Sequence, residues 1–312
     1  MEENFVVGVI QELCEALSAD QIDYCHWKSN AAIDRSASGE NDLDLLVNRD
    51  NLQKFTQIID RLGFKQAHEQ PMHRIPGVLD YYGYDRDANL LIHIHVHCQL
   101  VFGHDATKNY HIPIEGPYLA SASQNGLFRV PSVEFELIIL VIRMILKHYT
   151  WDTFLLHQGK LSFSEKFELN YLVKRASGPS MYAILREHLP FIDPLLFQTC
   201  LQFLQSGSTV SDRIWVGQRL IGCLEAYARR PHLVDAGLKI WRRVAWSLER
   251  RVFRNRGRKK MNNGGLLVAI VGGDGAGKTT AINELYQWIS EDFEVYRFHM
   301  GKHNMWYRKE KN

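Results

Sequence analysis

The run from Gly272 to Thr280, which reads GGDGAGKTT, constrains the fold of this chain more than any other feature. It fits the pattern G-x-x-x-x-G-K-[ST], in which glycines let successive backbone N–H groups turn toward a phosphate. An apolar stretch, 266–271, comes before it, and a pattern typical of a helix, 281–289, follows. A strand, a glycine-rich loop and a helix in this order predict a phosphate-binding loop. The alternative is a glycine-rich turn that binds nothing.

The predicted roles differ along this loop. Lys278 is expected to reach the β- and γ-phosphates of ATP and to act in catalysis, while the Thr279 hydroxyl is expected to ligate Mg²⁺. The residues predicted to bind the nucleotide are Gly272, Gly273, Asp274, Gly275, Ala276, Gly277, Lys278, Thr279 and Thr280.

The loop, with its preceding strand-like run, resembles that of the thymidylate kinase family. This resemblance covers residues 266–312 and implies a phosphotransferase related to nucleoside monophosphate kinases, with ATP as the phosphate donor. The sequence ends before the later strand, the acceptor-site arginines and the basic lid of that family. We therefore expect residues 266–312 to be the N-terminal fragment of a larger kinase-like domain. We expect this fragment to be loosely ordered or packed against a helical region.

A second constellation lies near the N-terminus, at Asp42 and Asp44 in the run DLDLLV. Alternate residues of a strand share a face, so the two carboxylates project together while Leu43, Leu45 and Val47 face a core. Adjacent carboxylates repel each other, which raises the pKa of one unless a cation lies between them. Oxygen ligands in that arrangement suit Mg²⁺ or Mn²⁺. The alternative is an edge strand with two solvated acids.

The segment before these acids adds to the pattern. Trp27, Lys28 and Ser29, then twelve residues, then the Asp-x-Asp run resemble the signature of the nucleotidyltransferase (polymerase-β-like) superfamily. This resemblance covers roughly residues 5–110. It implies that Ser29 contacts the nucleotide phosphates and that Asp42 and Asp44 are catalytic and hold two metal ions during attack on an α-phosphorus. Lys28 stands where the family usually has glycine.

The family also places a third carboxylate on a neighbouring strand, where this sequence has the run IHIHVHCQL, 92–100. His93, His95 and His97 share one face of that strand, and His95 aligns with the missing acid. Three interpretations stay open. His95 is a metal ligand that favours Mn²⁺ or Zn²⁺ over Mg²⁺; the site is degraded and only binds a nucleotide or partner; or the histidines form a solvated face.

Helical and strand periodicities predict an α+β fold. Strands are predicted at 22–27, 42–47, 78–84, 90–100, 266–271 and 294–299, with a hairpin at 85–89. Helices are predicted at 4–18, 51–62, 133–149, 163–174, 181–188, 194–204, 211–228 and 232–253. Ser132 is the predicted cap of the apolar helix at 133–149, and Glu136 is one of the polar residues that interrupt it. The predicted units are a nucleotidyltransferase-like domain with a mixed sheet (1–115), an all-helical module (116–249), a basic linker (250–265) and a truncated α/β P-loop fragment (266–312).

Charge and composition restrict the partners. The net charge is +2, so no whole-protein field favours nucleic acid. The five cysteines are scattered, which indicates reduced thiols in a cytoplasmic protein. The longest apolar stretch, 137–146, is interrupted by Arg143 and is too short to span a bilayer.

Two groups of basic residues leave alternatives open. Arg143 and Lys147 lie one helical turn apart, where they meet either a triphosphate or nearby acids. The basic residues of 250–260 form either a solvated linker or a phosphate-binding patch.

These observations predict a transferase of phosphorus-containing groups. An ATP-binding phosphotransferase is joined to a metal-dependent nucleotidyltransferase-like domain. Its ligands are a nucleoside triphosphate, an unidentified acceptor and Mg²⁺, with Mn²⁺ an option at the N-terminal site. The alternative is a catalytically degraded nucleotide-sensing or partner-binding protein. The oligomeric state stays open.

Overall fold

The computed structural model describes residues 5–69, 74–104, 107–149, 160–206, 209–248, 259–262 and 266–298. Within these ranges the chain has a mixed α+β architecture. A sheet with helices occupies the N-terminal part, a mostly helical region follows, and a short C-terminal segment returns to the sheet.

Strands are concentrated in the N-terminal part. They are β1 (Tyr24–His26), β2 (Leu43–Val47), β3 (Lys65–His68), β4 (Val78–Asp85), β5 (Leu90–His97), β6 (Val101–Phe102), β7 (Tyr110–His111), β8 (Ser123–Asn125), β9 (Phe128–Val130) and β10 (Lys260–Met261). The main sheet has the order β1-β2-β5-β4-β3-β10. Strands β2 and β5 are parallel, and the other neighbours in this sheet are antiparallel.

Helices flank the sheet and fill the middle of the chain. They are α1 (Gly8–Ala19), α2 (Ile33–Ala37), α3 (Leu52–Arg61), α4 (Glu115–Ala120), α5 (Val133–His148), α6 (Phe163–Val173), α7 (Gly178–His188), α8 (Pro194–Ser206), α9 (Val210–Cys223), α10 (His232–Leu248) and α11 (Lys278–Ile289).

The hairpin between β4 and β5 fixes the register of the sheet centre. Asp85 pairs with Leu90, and its carboxylate accepts hydrogen bonds from the N–H groups of Ala88 (2.8 Å) and Val9 (2.9 Å). The turn ends at Asn89, whose φ of 55° lies in the left-handed region that asparagine tolerates. This local chemistry explains the predicted hairpin, and it places β4 and β5 in register over eight residue pairs.

Two apolar clusters hold the structure. One lies between the sheet and helices α1 and α3, with Leu43, Leu45 and Ile94 among its buried residues. The other surrounds α5, and it includes Trp27 and Leu46 from the sheet side. Helix α5 begins at the predicted cap, where the Ser132 hydroxyl accepts a hydrogen bond from the Phe135 N–H. The helical region therefore packs directly against the start of the sheet.

Two sequence predictions are wrong. The region from residue 116 is not all-helical, because the β8–β9 hairpin lies at 123–130 and Phe128 packs in the cluster beside α1. The predicted strands at 266–271 and 294–299 do not form within the described residues. Leu266 and Val271 are 87% and 88% exposed, and in the described part of the chain no strand lies beside them to complete a ladder.

The C-terminal segment contacts the N-terminal sheet. Strand β10 pairs with β3 at the sheet edge, and Trp288 and Phe293 make ring contacts with Tyr84 and Tyr82 of β4. We expected loose order or packing against the helical region, whereas these contacts join the segment to the sheet. The apolar run 266–271 takes no part in them.

Candidate metal centre

Three potential metal ligands converge on the open face of β2 and β5. Asp44 and His95 are direct neighbours in the parallel pairing, and His97 follows on the same face. The His95 Nδ1 atom lies 3.2 Å from Asp44 Oδ1 and 3.4 Å from His97 Nε2. Ligand atoms about 2.1 Å from a metal at tetrahedral or octahedral angles are separated by about 3.0–3.4 Å. The three residues each offer a ligand atom within 4.8 Å of the others, so they fit a metal ion.

Protonation states at this cluster also suit a cation. The pKa of Asp44 lies well below its usual range: burial opposes this shift, but hydrogen bonding to His95 and the Lys28 charge outweigh it. Burial lowers the pKa of His97 well below its usual range, which keeps its imidazole neutral. The His97 Nδ1 atom is buried without a hydrogen-bond partner within the described residues. One carboxylate and two imidazoles form a donor set that suits Mn²⁺ or Zn²⁺ better than Mg²⁺.

Asp42 belongs to a second group on the same face. Its Oδ1 atom lies 3.0 Å from His93 Nδ1, while the other ring nitrogen of His93 lies 2.8 Å from Asp80 Oδ1 on β4. Burial lowers the pKa of His93, but hydrogen bonds to the two carboxylates raise it by more, so the net shift is upward. The Lys259 ammonium also bonds Asp80 Oδ1, at 2.8 Å. An imidazole and a lysine therefore neutralise this end of the face.

Repulsion between Asp42 and Asp44 was expected to raise the pKa of one of them only in the absence of a neighbouring cation, and basic groups lie beside both. Both pKa values are lowered, because hydrogen bonds to His93 and His95 and nearby positive charge outweigh burial and mutual repulsion. The two acids project from one strand but pair with different histidines. The sequence argument had treated the pair without its neighbours.

The turn that follows β1 is held by two glutamates from the helical region. Ser29 has a φ of 61°, and its N–H donates a hydrogen bond to Glu168 Oε1 (2.9 Å). The next N–H, of Asn30, donates to Glu136 Oε1 (3.1 Å). Two carboxylate oxygens thus accept from the turn that we predicted to contact phosphate. Phosphate contact by Ser29 stays a prediction.

Lys28 precedes this turn and points toward the metal ligands. Its Nζ atom lies 2.9 Å from Asp44 Oδ1 and 5.2 Å from the centre of the Trp27 ring. The Arg143 guanidinium lies at the same 5.2 Å distance from that ring. Lys28 therefore contacts the candidate ligand Asp44.

A cationic pocket opens beside the metal ligands. Its lining residues are Trp27, Lys28, Ile75, Val78, His95, His97, Val101, Phe102, Gly103, Lys108, Arg143, Met144 and Lys147. Lys147 bonds Glu165 at 3.0 Å, whereas Arg143 has no carboxylate within ion-pair distance in the part of the chain that the structure describes. Because Lys28 is likewise paired, with Asp44, the charge that could attract an anionic group to this pocket comes chiefly from Arg143.

The glycine-rich loop lies apart from this cluster. Gly275 and Gly277 have φ values of 81° and 76°, and helix α11 begins at Lys278. The Lys278 ammonium donates to the carbonyl oxygens of Gly272 (2.7 Å) and Gly273. Within the described ranges, no hydrogen bond or ion pair joins residues 272–280 to the N-terminal cluster. ATP binding here stays a prediction.

Sequence reasoning missed three contributors to the site. Asp80 could have been found from the predicted hairpin. Asp85 pairs with Leu90 at the turn, and counting five residues along each strand from this pair places Asp80 opposite His95. Lys259 belongs to the basic run 250–260, but nothing local indicated its side-chain partners, which lie more than 160 residues earlier in the chain. Glu136 appeared only as a polar interruption in an apolar helix.

Comparisons with known proteins add no assignment. No family model, curated protein or solved structure matches this chain. The resemblances to thymidylate kinases and nucleotidyltransferases therefore rest on the residues alone. None of the helices in the described ranges has the length and hydropathy needed to cross a membrane.

Proposed function

We propose that the N-terminal unit contains a metal-dependent nucleotide-binding site and that this site catalyses nucleotidyl transfer. The observation that carries this proposal is the cluster of Asp44, His95 and His97, because His95 and His97 also line a pocket that contains basic side chains. A metal at these ligands would neutralise charge on a phosphate, and the Arg143 guanidinium nearby would attract a further phosphate oxygen. The mixed sheet and the Asp-x-Asp strand support the same assignment.

The chain's own residues divide the work as follows. Asp44 and His95 hold the metal, with His97 as a further ligand. Arg143, which lies over the Trp27 ring, is the cation best placed to meet a phosphate, because no carboxylate of the described residues lies within ion-pair distance of it. Lys28 bonds Asp44 and must shift when a metal takes that oxygen.

The donor set determines the metal that we propose. Two imidazoles make Mn²⁺ or Zn²⁺ better suited than Mg²⁺ at Asp44. Mg²⁺ remains the proposed partner of Thr279 at the glycine-rich loop, where oxygen ligands dominate. The two proposed sites thus differ in metal preference.

Label transfer tests the reaction. The protein is incubated with Mn²⁺ and ATP labelled at the α- or the γ-phosphate, and label is followed on the protein and on small acceptors. Nucleotidyl transfer moves the α-label, whereas a kinase moves the γ-label. Asp44→Asn should abolish transfer of the α-label, and Asp87→Asn, on the exposed β4–β5 turn, should leave it unchanged.

A second candidate function is nucleotide sensing or partner binding without chemistry. It is favoured by one observation: Lys28 and Lys259 already place ammonium groups against Asp44 and Asp80. In that case Mn²⁺-dependent nucleotide binding depends on Asp44, but neither label moves. If Asp42→Ala and Asp44→Ala leave Mn²⁺-dependent nucleotide binding unchanged, both candidates fail at this site.

A further inference from the structure

The C-terminal segment inserts a lysine beside Asp42, Asp44 and Asp80, which we call the acidic face of the N-terminal sheet. The Lys259 ammonium lies 2.8 Å from Asp80 Oδ1, 3.1 Å from the Tyr82 hydroxyl and 3.2 Å from His93 Nε2. It also lies 5.2 Å from the centre of the Tyr82 ring. Its side chain is only 15% exposed, and lysine is rarely this buried unless it is paired, as Lys259 is with Asp80.

Backbone contacts fix this lysine in place. The Lys259 N–H donates to the Asp292 carbonyl oxygen, and its carbonyl accepts from the Glu294 N–H. The following residues pair with β3, where the Asn262 N–H donates to the Gln66 carbonyl oxygen. Residues 259–262 and 292–294 therefore form one docked unit, which we call the C-terminal clasp.

Aromatic packing extends the contact of the clasp with β4. Phe293 meets the Tyr82 ring edge-on at 4.7 Å, and the Asp292 carboxylate accepts from the Tyr82 hydroxyl at 3.4 Å. Tyr82 itself stacks on His93 at 4.4 Å. One aromatic column thus joins the clasp to a histidine of the acidic face.

That histidine is adjacent to the proposed metal ligands. The ring centres of His93 and His95 lie 5.9 Å apart, and Asp80 pairs across the sheet with His95. A lysine bonded to Asp80 and a divalent cation on His95 are therefore like charges at close range. Their repulsion is strong where side chains are mostly buried.

We infer that docking of the C-terminal clasp and binding of a divalent cation at Asp44, His95 and His97 oppose each other. This inference rests on the metal site of the proposed function. In the docked state the Lys259 ammonium balances carboxylate charge on the acidic face. A bound divalent cation would balance this charge in its place, and its repulsion of Lys259 would weaken the Asp80–Lys259 ion pair. The clasp thereby links metal loading to the position of the segment that carries the glycine-rich loop.

Metal titration of matched variants tests the opposition. Free Mn²⁺ is measured by electron paramagnetic resonance in the full chain and in Lys259→Met, which keeps an unbranched stem and removes the charge. The control is Lys54→Met, at an exposed position of α3 outside the clasp. We expect Mn²⁺ to bind Lys259→Met at least about tenfold more tightly than wild type, with Lys54→Met unchanged.

Amine labelling gives an independent readout on unmodified protein. Brief reductive methylation followed by mass spectrometry should modify Lys260 much faster than Lys259 without metal. Saturating Mn²⁺ should raise the Lys259 rate toward that of Lys260.

The outcomes separate the two proposals. Equal Mn²⁺ affinity in wild type and Lys259→Met, with loss of binding in Asp44→Asn, overturns the opposition but keeps the metal site. No Mn²⁺ binding in either chain overturns both. Equal labelling of Lys259 and Lys260 without metal shows that the clasp does not protect this lysine, and it also overturns the opposition.

Discussion

Buried carboxylates near the candidate metal centre differ in how their charge is balanced. Asp44 and Asp80 bond histidine and lysine, and their pKa values fall. Glu136 accepts from Asn30 but is almost fully buried in an apolar helix. Burial is the largest influence on it and raises its pKa to about 7. Carboxyl groups in one part of the structure therefore have pKa values shifted in opposite directions, according to whether a positive charge lies beside them.

Glu136 predicts a pH dependence of stability. Its pKa is about 7 in the folded chain and 4.5 ordinarily, so between these values the native state binds more protons than the unfolded state. The free energy of unfolding therefore falls as the pH rises from about 4.5 to about 7. The loss amounts to at most about 3 kcal/mol.

Urea unfolding at pH 5 and pH 8 measures this effect. Glu136→Gln keeps an acceptor for the Asn30 N–H and cannot ionise, so we expect the stability loss between the two pH values to shrink. Glu12→Gln, at an exposed position of α1, should retain the wild-type difference. An equal pH difference in all three chains would contradict the assigned ionisation of Glu136.

At the scale of elements, helix α9 approaches the end of helix α5 closely at Gly217. A Cβ atom at Gly217 of α9 would lie 1.9 Å from the carbonyl oxygen of Tyr149, just after α5. Gly217→Ala therefore forces the helices apart, and we expect a loss of about 2 kcal/mol or more in unfolding free energy. The check is the midpoint of urea unfolding.

Gly222 provides the matched control on the same helix. A Cβ atom there would meet nothing within 4 Å. Because alanine favours helix over glycine, Gly222→Ala should be neutral or stabilise by up to about 1 kcal/mol. If both substitutions cost the same, the close approach of α9 to α5 is not as described.

Elements with strong local signals were predictable from sequence. The cap at Ser132 and the apolar length of α5 located that helix, and the turn at 85–89 located the β4–β5 hairpin. Strands β8 and β9 are short and mostly polar, so their pattern did not stand out from loop. The run 266–271 has a strand pattern, but a strand also needs a neighbour, which periodicity does not provide.

The site was predictable only in part for a similar reason. Asp42, Asp44 and the histidine triplet follow from alternation along two strands. Lys259, Glu136 and Glu168 come from distant parts of the chain, and only tertiary packing brings them to the turn and the acidic face. Sequence reasoning therefore found the ligands but not the groups that compete with them or hold them.

At the scale of the whole molecule, order is unevenly distributed. Strands β2 and β5 are each paired on both sides and bury most of their apolar side chains, whereas the apolar run 266–271 is exposed beside no described strand. Hydrogen exchange should therefore be slow in β2 and β5 and nearly unprotected at 266–271. Mass spectrometry of peptides after brief exchange tests this. Protection at 266–271 equal to that of β5 would show that this run is paired in solution.

The central claim is that Asp44, His95 and His97 hold a metal. Pulsed electron paramagnetic resonance of the Mn²⁺-loaded chain measures this most directly, because nitrogen nuclei of bound imidazoles modulate the signal. The account predicts imidazole nitrogen couplings that weaken in His95→Gln and persist in His232→Gln, at an exposed position at the start of α10. Mn²⁺ bound without nitrogen couplings, or couplings that His95→Gln leaves unchanged, would contradict it.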